Sequence, residues 1–66
     1  MKYIRDSNGN MALRMEGNQI FDNSTGRLAY RVNGQSVFDV NTGVLAYRIQ
    51  GNQIFDNSTG RLAFQF

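Results

Sequence analysis

Apolar and polar residues alternate in short runs along the whole chain, and clusters of Gly, Asn, Asp, Ser and Thr separate these runs. The segment from Leu28 to Val32 illustrates the alternation, because every second side chain in it is large and apolar. A period of two between turn residues is typical of half-buried β-strands, and no segment holds a helical period. The pattern predicts short strands near residues 3–6, 10–15, 18–22, 27–32, 35–39, 44–49, 52–56 and 61–66.

The chain also repeats itself. Residues 17–29 and 51–63 are identical, at a shift of 51 − 17 = 34, and a looser copy begins midway between them, which makes the period 17 residues. A more divergent copy precedes these three, so a single domain over 1–66 contains the repeats 1–16, 17–33, 34–50 and 51–66. One such unit is too short to bury an apolar face, so neighbouring units must share a surface.

Two kinds of turn join the predicted strands. Asn33-Gly34 indicates a type I′ hairpin, in which both central residues have positive φ. The segment 23–26 fits a type I turn whose last residue is a left-handed Gly that forms a bulge, and Asn8-Gly9 predicts a tighter turn in the first unit. With a hairpin at every junction, the predicted fold is all-β: an eight-stranded antiparallel meander.

The predicted hairpin at Asn33-Gly34 pairs Val32 with Gln35 and Tyr30 with Val37, and this register distributes the side chains over two faces. The core face carries Ile4, Met11, Leu13, Met15, Ile20, Leu28, Tyr30, Val32, Val37, Leu45, Tyr47, Ile49, Ile54, Leu62, Phe64 and Phe66. The second face carries an alternating row of Ala12, Phe21, Ala29, Phe38, Ala46, Phe55 and Ala63.

A sheet with one apolar face needs a second layer in water. Either the meander rolls into a small barrel, or it stays open and stacks on a second copy in an oligomer. The last predicted strand has no charge and no Pro, so its edge should pair with the first strand or with another chain. Because a chain of 66 residues without Cys has a small core, we expect a homo-oligomer.

Aromatic and basic residues on the second face are the candidate binding residues. Phe21, Phe38 and Phe55 are predicted to form a ladder of rings roughly 10 Å apart, two strands of about 4.8 Å each. Arg31 and Arg48 flank them, and rings with guanidinium groups can stack on sugars, nucleobases or protein. Exposed apolar patches most often contact protein, so we expect a structural or interaction module that self-associates or binds a protein partner. A carbohydrate-binding repeat domain is the alternative.

The composition argues against an enzyme and against a cofactor or metal. The chain has no His and no Cys, and one Asp recurs in every unit, namely Asp6, Asp22, Asp39 and Asp56. Repeated acids before turns are typical of turn capping, whereas calcium needs six to eight oxygen ligands. The net charge of +2 is spread along the repeats, which gives single-stranded nucleic-acid binding little support. With no signal peptide and no membrane-spanning stretch, the expectation is a cytoplasmic protein without membrane contact.

Two bacterial repeat families resemble parts of this sequence. Phe21-Asp22 followed by Gly26-Arg27-Leu28 resembles the YD repeats of large secreted shells. The segment 37–46 is similar to the aromatic hairpin repeats of choline-, glucan- and cell-wall-binding proteins. The resemblance covers about three of the four units and implies a non-enzymatic array of β-hairpins. The Trp and paired aromatic residues of the cell-wall families' pockets are missing, so neither family's ligand is transferred.

Overall fold

The computed structural model of the protein describes residues 2–66 and contains eight antiparallel strands that close into a small barrel in chain order. The strands are β1 (Lys2–Arg5), β2 (Met11–Glu16), β3 (Gln19–Asp22), β4 (Leu28–Asn33), β5 (Ser36–Asp39), β6 (Leu45–Gln50), β7 (Gln53–Asp56) and β8 (Leu62–Gln65). The prediction of an all-β meander is therefore confirmed, and the barrel is the alternative that forms. No helix in the described residues is long and apolar enough to cross a membrane.

The core of the barrel is built from side chains on the inner faces of the strands. The buried members are Ile4, Leu13, Ile20, Val32, Val37 and Ile54, of which Ile4, Ile20, Val37 and Ile54 are fully buried. Partly buried side chains that pack against them are Ala12, Met15, Tyr30, Tyr47, Ile49, Phe64 and Phe66. Rolling the sheet up buries its apolar face against itself, so the fold needs no second copy to cover that face.

Three hairpins have a Gly at the tip, as the first of two turn residues, namely Gly17, Gly34 and Gly51. Their register differs from the predicted one. Asn33 pairs with Ser36 and Val32 with Val37, so the two turn residues are Gly34 and Gln35. Gly34 has a φ of 63°, and no residue other than Gly has positive φ in the described chain. Positive φ at the first central position alone is the pattern of a type II′ turn, so the predicted type I′ turn is wrong.

The shift of register leaves both faces of the sheet unchanged. Val32 lies opposite Val37 rather than Gln35, a displacement of two residues. Because side chains alternate with a period of two, an even displacement keeps each of them on its predicted side. This is why most of the predicted core is buried although the pairing differs.

A bulge at the start of every second strand moves four predicted core residues to the outside. Ile20 pairs with Tyr30 but Phe21 pairs with Leu28, so Ala29 is left without a partner across the strand. Ala12, Ala46 and Ala63 are skipped in the same way. The residues that the bulges displace from the core are Met11, Leu28, Leu45 and Leu62.

The exposure of these displaced residues supports their outward position. Met11 is 51% exposed and Leu62 is 41% exposed. Leu62 pairs with Phe55, whose neighbour Ile54 is buried, so Phe55 and Leu62 share the outer face. An extra residue in one strand moves the side chains that precede it to the opposite face of the sheet. The alternation of apolar residues alone did not predict this change.

The bulged Ala also joins neighbouring repeats. Its carbonyl accepts a hydrogen bond from the residue after the next repeat's Asp: Asn23 N–H donates to Ala12 O at 3.0 Å, and Val40 N–H to Ala29 O at 3.1 Å. Asn57 N–H makes the same bond to Ala46 O at 3.0 Å. These bonds extend the regular pairing of β2 with β3, of β4 with β5 and of β6 with β7 by one residue, on the side of the Ala away from the bulge.

The barrel closes where β8 meets β1. Gln65 pairs with Arg5, which is the same register as Arg31 with Phe38 between β4 and β5. The Lys2 ammonium lies 5.3 Å from the centroid of the Phe66 ring, a distance that allows a cation–π contact. The closing junction thus continues the pattern of the internal junctions.

We expect Gly34→Val to lower the free energy of unfolding by about 1–3 kcal/mol, because a β-branched residue is strained at positive φ. A Cβ at this position would meet no atom within 4 Å, so the cost is conformational rather than steric. Gly26→Val, at a φ of 76°, should behave similarly. Urea denaturation measures both variants, with Gln35→Val as the control, since Gln35 has no positive φ. Parental stability in both Gly variants would show that these turns are assigned wrongly.

Candidate functional site

Three outward-facing rows, each of Arg, Phe and Leu on three neighbouring strands, form the candidate site. The pairs Arg14 with Phe21, Arg31 with Phe38 and Arg48 with Phe55 lie across adjacent strands. Each Phe pairs on its other side with the displaced Leu of the next strand. The three Arg–Phe–Leu rows are therefore Arg14-Phe21-Leu28, Arg31-Phe38-Leu45 and Arg48-Phe55-Leu62. At the closing junction, Gln65, Arg5 and Met11 occupy the corresponding positions.

The structure brings the predicted site residues together in pairs and not as one ladder. Phe38 lies beside Arg31 and Phe55 lies beside Arg48. The predicted row of Phe alternating with Ala is wrong, because the bulge replaces Ala by Leu as the partner of each Phe. On β4 the partner of Phe21 is Leu28, whereas the partner of Phe38 is Arg31, three residues further along the strand. The rings are consequently staggered around a closed barrel, and each faces a different direction.

The first row differs from the other two in how its Arg is held. The Arg14 guanidinium carbon lies 5.5 Å from the centroid of the Phe21 ring, and Arg14 pairs on its other side with Tyr3. Gln19 and Ser36 stand in place of this Tyr beside Arg31 and Arg48. The Arg14 Nε is buried without a hydrogen-bond partner, whereas Arg31 and Arg48 are exposed. Arg14 is therefore packed into the surface, and the other two remain accessible to a ligand.

Two equivalent grooves lie beside the accessible pairs. The Arg31 groove, of about 370 Å³, is lined by Arg31, Phe38, Asp39, Val40 and Gly43. The Arg48 groove, of about 250 Å³, is lined by Arg48, Gln50, Phe55, Asp56, Asn57 and Gly60. Each groove combines a guanidinium donor, an aromatic face and a carboxylate. Such a set can bind a group that offers a ring face together with both hydrogen-bond donors and acceptors.

The carboxylates at the edges of these grooves organise the turns. Asp39 Oδ1 accepts the N–H of Asn41 at 2.7 Å, and Asp56 Oδ1 accepts the N–H and the hydroxyl of Ser58 at 2.8 and 2.7 Å. The prediction that these acids cap turns is thereby confirmed. The Ser58 hydroxyl, and then its backbone N–H, hold the pKa of Asp56 below its usual value, so this groove keeps a negative charge near neutral pH.

The hydrogen-bonded turns predict an acid dependence of stability. Bonds from Ser24 and Ser58 lower the pKa of Asp22 and of Asp56 from the ordinary value of 3.8. A pKa that is lower in the folded state contributes stability above the unfolded value, and this contribution is lost as pH falls through the folded value. We expect the melting temperature to fall below about pH 4, and Asp22→Asn, which keeps an acceptor oxygen, to reduce the slope. An identical acid slope in parent and variant would contradict the assignment.

Sequence reasoning missed two exposed apolar residues beside the Arg31 groove. Val40 is 38% exposed and Val44 is 62% exposed. They stand where the two identical repeats carry Asn and Arg, namely Asn23 and Asn57, and Arg27 and Arg61. The sequence did contain a signal, because the third repeat has Val at both positions where the two identical repeats have a polar or charged residue. Val40 and Val44, with Phe38 and Leu45, give the Arg31 side of the barrel an apolar border.

Comparison with known proteins gives no relative from which a function can be transferred. The chain matches no protein-family model, no curated protein and no solved structure. The resemblance to the two hairpin-repeat families therefore stays a prediction. Among residues 2–66, no group of three or more His, Cys, Asp or Glu is placed to hold a metal ion.

Proposed function

We propose that this protein is a non-enzymatic interaction module that binds a protein partner, which can be a second copy of itself, through the Arg31 side of its barrel. The observation that carries the proposal is the exposure of Val40, which lines the groove together with Phe38, and of Val44, the residue just before β6. The two identical repeats carry polar residues at these turn positions, so this pair of exposed Val residues belongs to the third repeat and not to those copies. Exposed apolar side chains with a charged border are typical of protein contacts.

The composition of this surface fits the anatomy of a small interface. Aromatic residues and Arg are the residues that most often dominate binding energy, and Phe38 and Arg31 are paired at the centre of the surface. Val40 and Val44 lie at the turn next to them. Because the barrel covers its own core, association through this surface would join folded barrels and would not be needed for folding.

We expect the double variant Val40→Asn/Val44→Arg to weaken association while leaving stability within about 0.5 kcal/mol of the parent, as is usual for surface changes. The new residues are those that the identical repeats carry at these positions, so the turn should accept them. Light scattering over a concentration series measures self-association, and Phe38→Ser should lower the mass in the same way. The matched control is Phe55→Ser, which removes the equivalent ring from another row.

Two outcomes would count against this proposal. If the parent and the double variant have the same mass at every concentration, the Arg31 side is not the surface through which copies associate. If Phe55→Ser lowers the mass as much as Phe38→Ser, the apolar border of the third repeat does not determine binding. In either case the interaction would have to be sought on another side of the barrel.

The Arg48 groove supports a second candidate function, carbohydrate binding. Asn57 replaces Val40 there, so a ring face lies among an amide, a guanidinium and a carboxylate. Sugars offer apolar ring faces and hydroxyl groups that both donate and accept, whereas a phosphate would be repelled by the nearby Asp56 carboxylate. Retention on glycan beads at high salt, abolished by Phe55→Ser, supports this function. Binding to oligonucleotides that decreases steeply with salt would support a nucleic-acid ligand instead.

A further inference from the structure

Asn33-Gly34 is one of two Asn–Gly sequences in the chain, the other being Asn8-Gly9, and it leads into the turn of the hairpin between β4 and β5. Asn33 ends β4, pairs with Ser36 and is exposed. An Asn followed by Gly is prone to intramolecular attack on its side-chain amide, because Gly has no side chain to obstruct the approach of its backbone nitrogen. We propose that Asn33 is a site of spontaneous deamidation in the folded protein, the only such site among its Asn residues to react readily.

The environment of the attacking nitrogen distinguishes Asn33 from the other Asn–Gly sequence. The N–H of Gly9 donates to the carbonyl oxygen of Asp6 at 3.0 Å, and the N–H of Asn8 donates to Asp6 Oδ1 at 2.9 Å. Both bonds hold the Asn8-Gly9 turn in one conformation. The N–H of Gly34, in contrast, has no backbone acceptor in the described part of the chain.

The reaction consumes one water and releases one ammonia. The nitrogen of Gly34 loses its proton to hydroxide, which becomes water, and bonds to the side-chain carbonyl carbon of Asn33. The bond from that carbon to Nδ2 then breaks, and Nδ2 takes a proton from water and leaves as ammonia, which restores the hydroxide. Water then opens the resulting five-membered imide at one of its two carbonyl carbons. The products are Asp and isoaspartate, and no oxidant or reductant is needed.

The geometry of the hairpin limits when the attack can occur. Asn33 lies in the last pair before the turn, so its backbone must leave the extended conformation before Gly34 N can approach the side-chain carbonyl. Terminal pairs of a hairpin open more readily than the core strands do. An isoaspartate product adds one methylene to the main chain beside a two-residue turn, two residues from the pair of Arg31 with Phe38. The conversion also removes one unit from the net charge of +2.

The chain contains its own controls for this proposal. Glu16 and Gln50 occupy the position of Asn33 in the two other hairpins with Gly at the tip. Glutamine would need a six-membered ring and reacts far more slowly. Asn33→Gln therefore reproduces the residue of a neighbouring hairpin and should remove the reaction without disturbing the turn.

The test incubates the intact protein at mildly alkaline pH and follows each Asn by peptide mass spectrometry, in native buffer and in denaturant. In native buffer we expect conversion at Asn33 at least tenfold faster than at Asn8, and two products separable by chromatography. In denaturant, where the Asp6 bonds are lost, the two rates should become similar. Asn33→Gln should show no conversion in this hairpin.

Three results would overturn the proposal. The first is equal or faster conversion of Asn8 in the native protein, and the second is conversion of Asn33 no faster than that of Asn18 or Asn52, which precede Gln. The third is a rate ratio that stays the same in denaturant, which would show that the fold does not select the site. None of these results depends on the ligand or partner of the Arg31 side.

Discussion

Replacing Tyr47 by serine is expected to lower the free energy of unfolding by about 3–5 kcal/mol, the cost of changing a core aromatic residue to a small one. The Tyr47 ring packs edge-to-face against two other rings, with centroid distances of 5.4 Å to Tyr30 and 5.5 Å to Phe64. The core of a domain of this size rarely supplies more than about 3–5 kcal/mol of stability, so the variant should be largely unfolded. Urea denaturation followed by circular dichroism measures the change.

A spectroscopic readout separates this contact from a general loss of packing. Burial, and then the neighbouring Tyr47 hydroxyl, raise the pKa of Tyr30 to about 12. Tyr47→Phe, which copies Phe64 at the same repeat position, keeps the ring and removes only this hydroxyl. We expect the pKa of Tyr30 in that variant to move towards 10 in an ultraviolet titration. If Tyr47→Ser melts like the parent, the inner-face assignment of this residue is wrong.

Much of the fold could be predicted because short repeats leave few ways to bury apolar residues. Each strand was placed to within a residue or two, and the seven Gly residues, all with positive φ, mark the turns. The choice between a barrel and an open stack was left undecided, since one apolar face is equally compatible with both. Closure depends on how far the sheet coils, which alternation of side chains does not encode.

The errors arose from one irregularity repeated in every unit. An Ala between two apolar residues, such as Ala29 between Leu28 and Tyr30, fits the outer face of a regular strand. When that Ala is an unpaired bulge, Leu28 moves to the outside and joins Phe21. Because Leu is apolar in either position, the hydrophobicity of the sequence could not reveal the change. The predicted site therefore paired each Phe with Ala, whereas in the structure each Phe lies between an Arg and a Leu.

The accessible surface was predicted in its residues but not in its geometry. Arg31 and Arg48 flank Phe38 and Phe55 as expected, whereas the continuous ladder of rings is absent because the rows are staggered around the barrel. This limits the ligands to those that fit one groove, or to extended partners that reach two. Among residues 2–66, Phe21, Phe38 and Phe55 do not lie in one row across the strands, so they do not form the line of rings that would suit an extended glycan chain.

Ile4→Ala is expected to cost about 2–5 kcal/mol and to open the barrel at its closing junction. Ile4 is completely buried, and it lies in β1, the strand that closes the barrel by pairing with β8. Removing its side chain leaves a cavity where the first and last repeats meet, and β1 has few other contacts with β8 to compensate. Hydrogen exchange of β1 and β8, together with urea denaturation, measures the effect.

Ile4→Val is the matched control, because Val37 fills the same position in the third repeat and is itself buried. The loss of a single methylene should cost only about 0.5–1.5 kcal/mol and leave exchange in both strands slow. A second comparison, Ile54→Ala, removes an equally placed side chain from an internal strand and should speed exchange in β7 before β1. If Ile4→Ala is no less stable than Ile4→Val, β1 contributes little to the core and the sheet is open between β8 and β1.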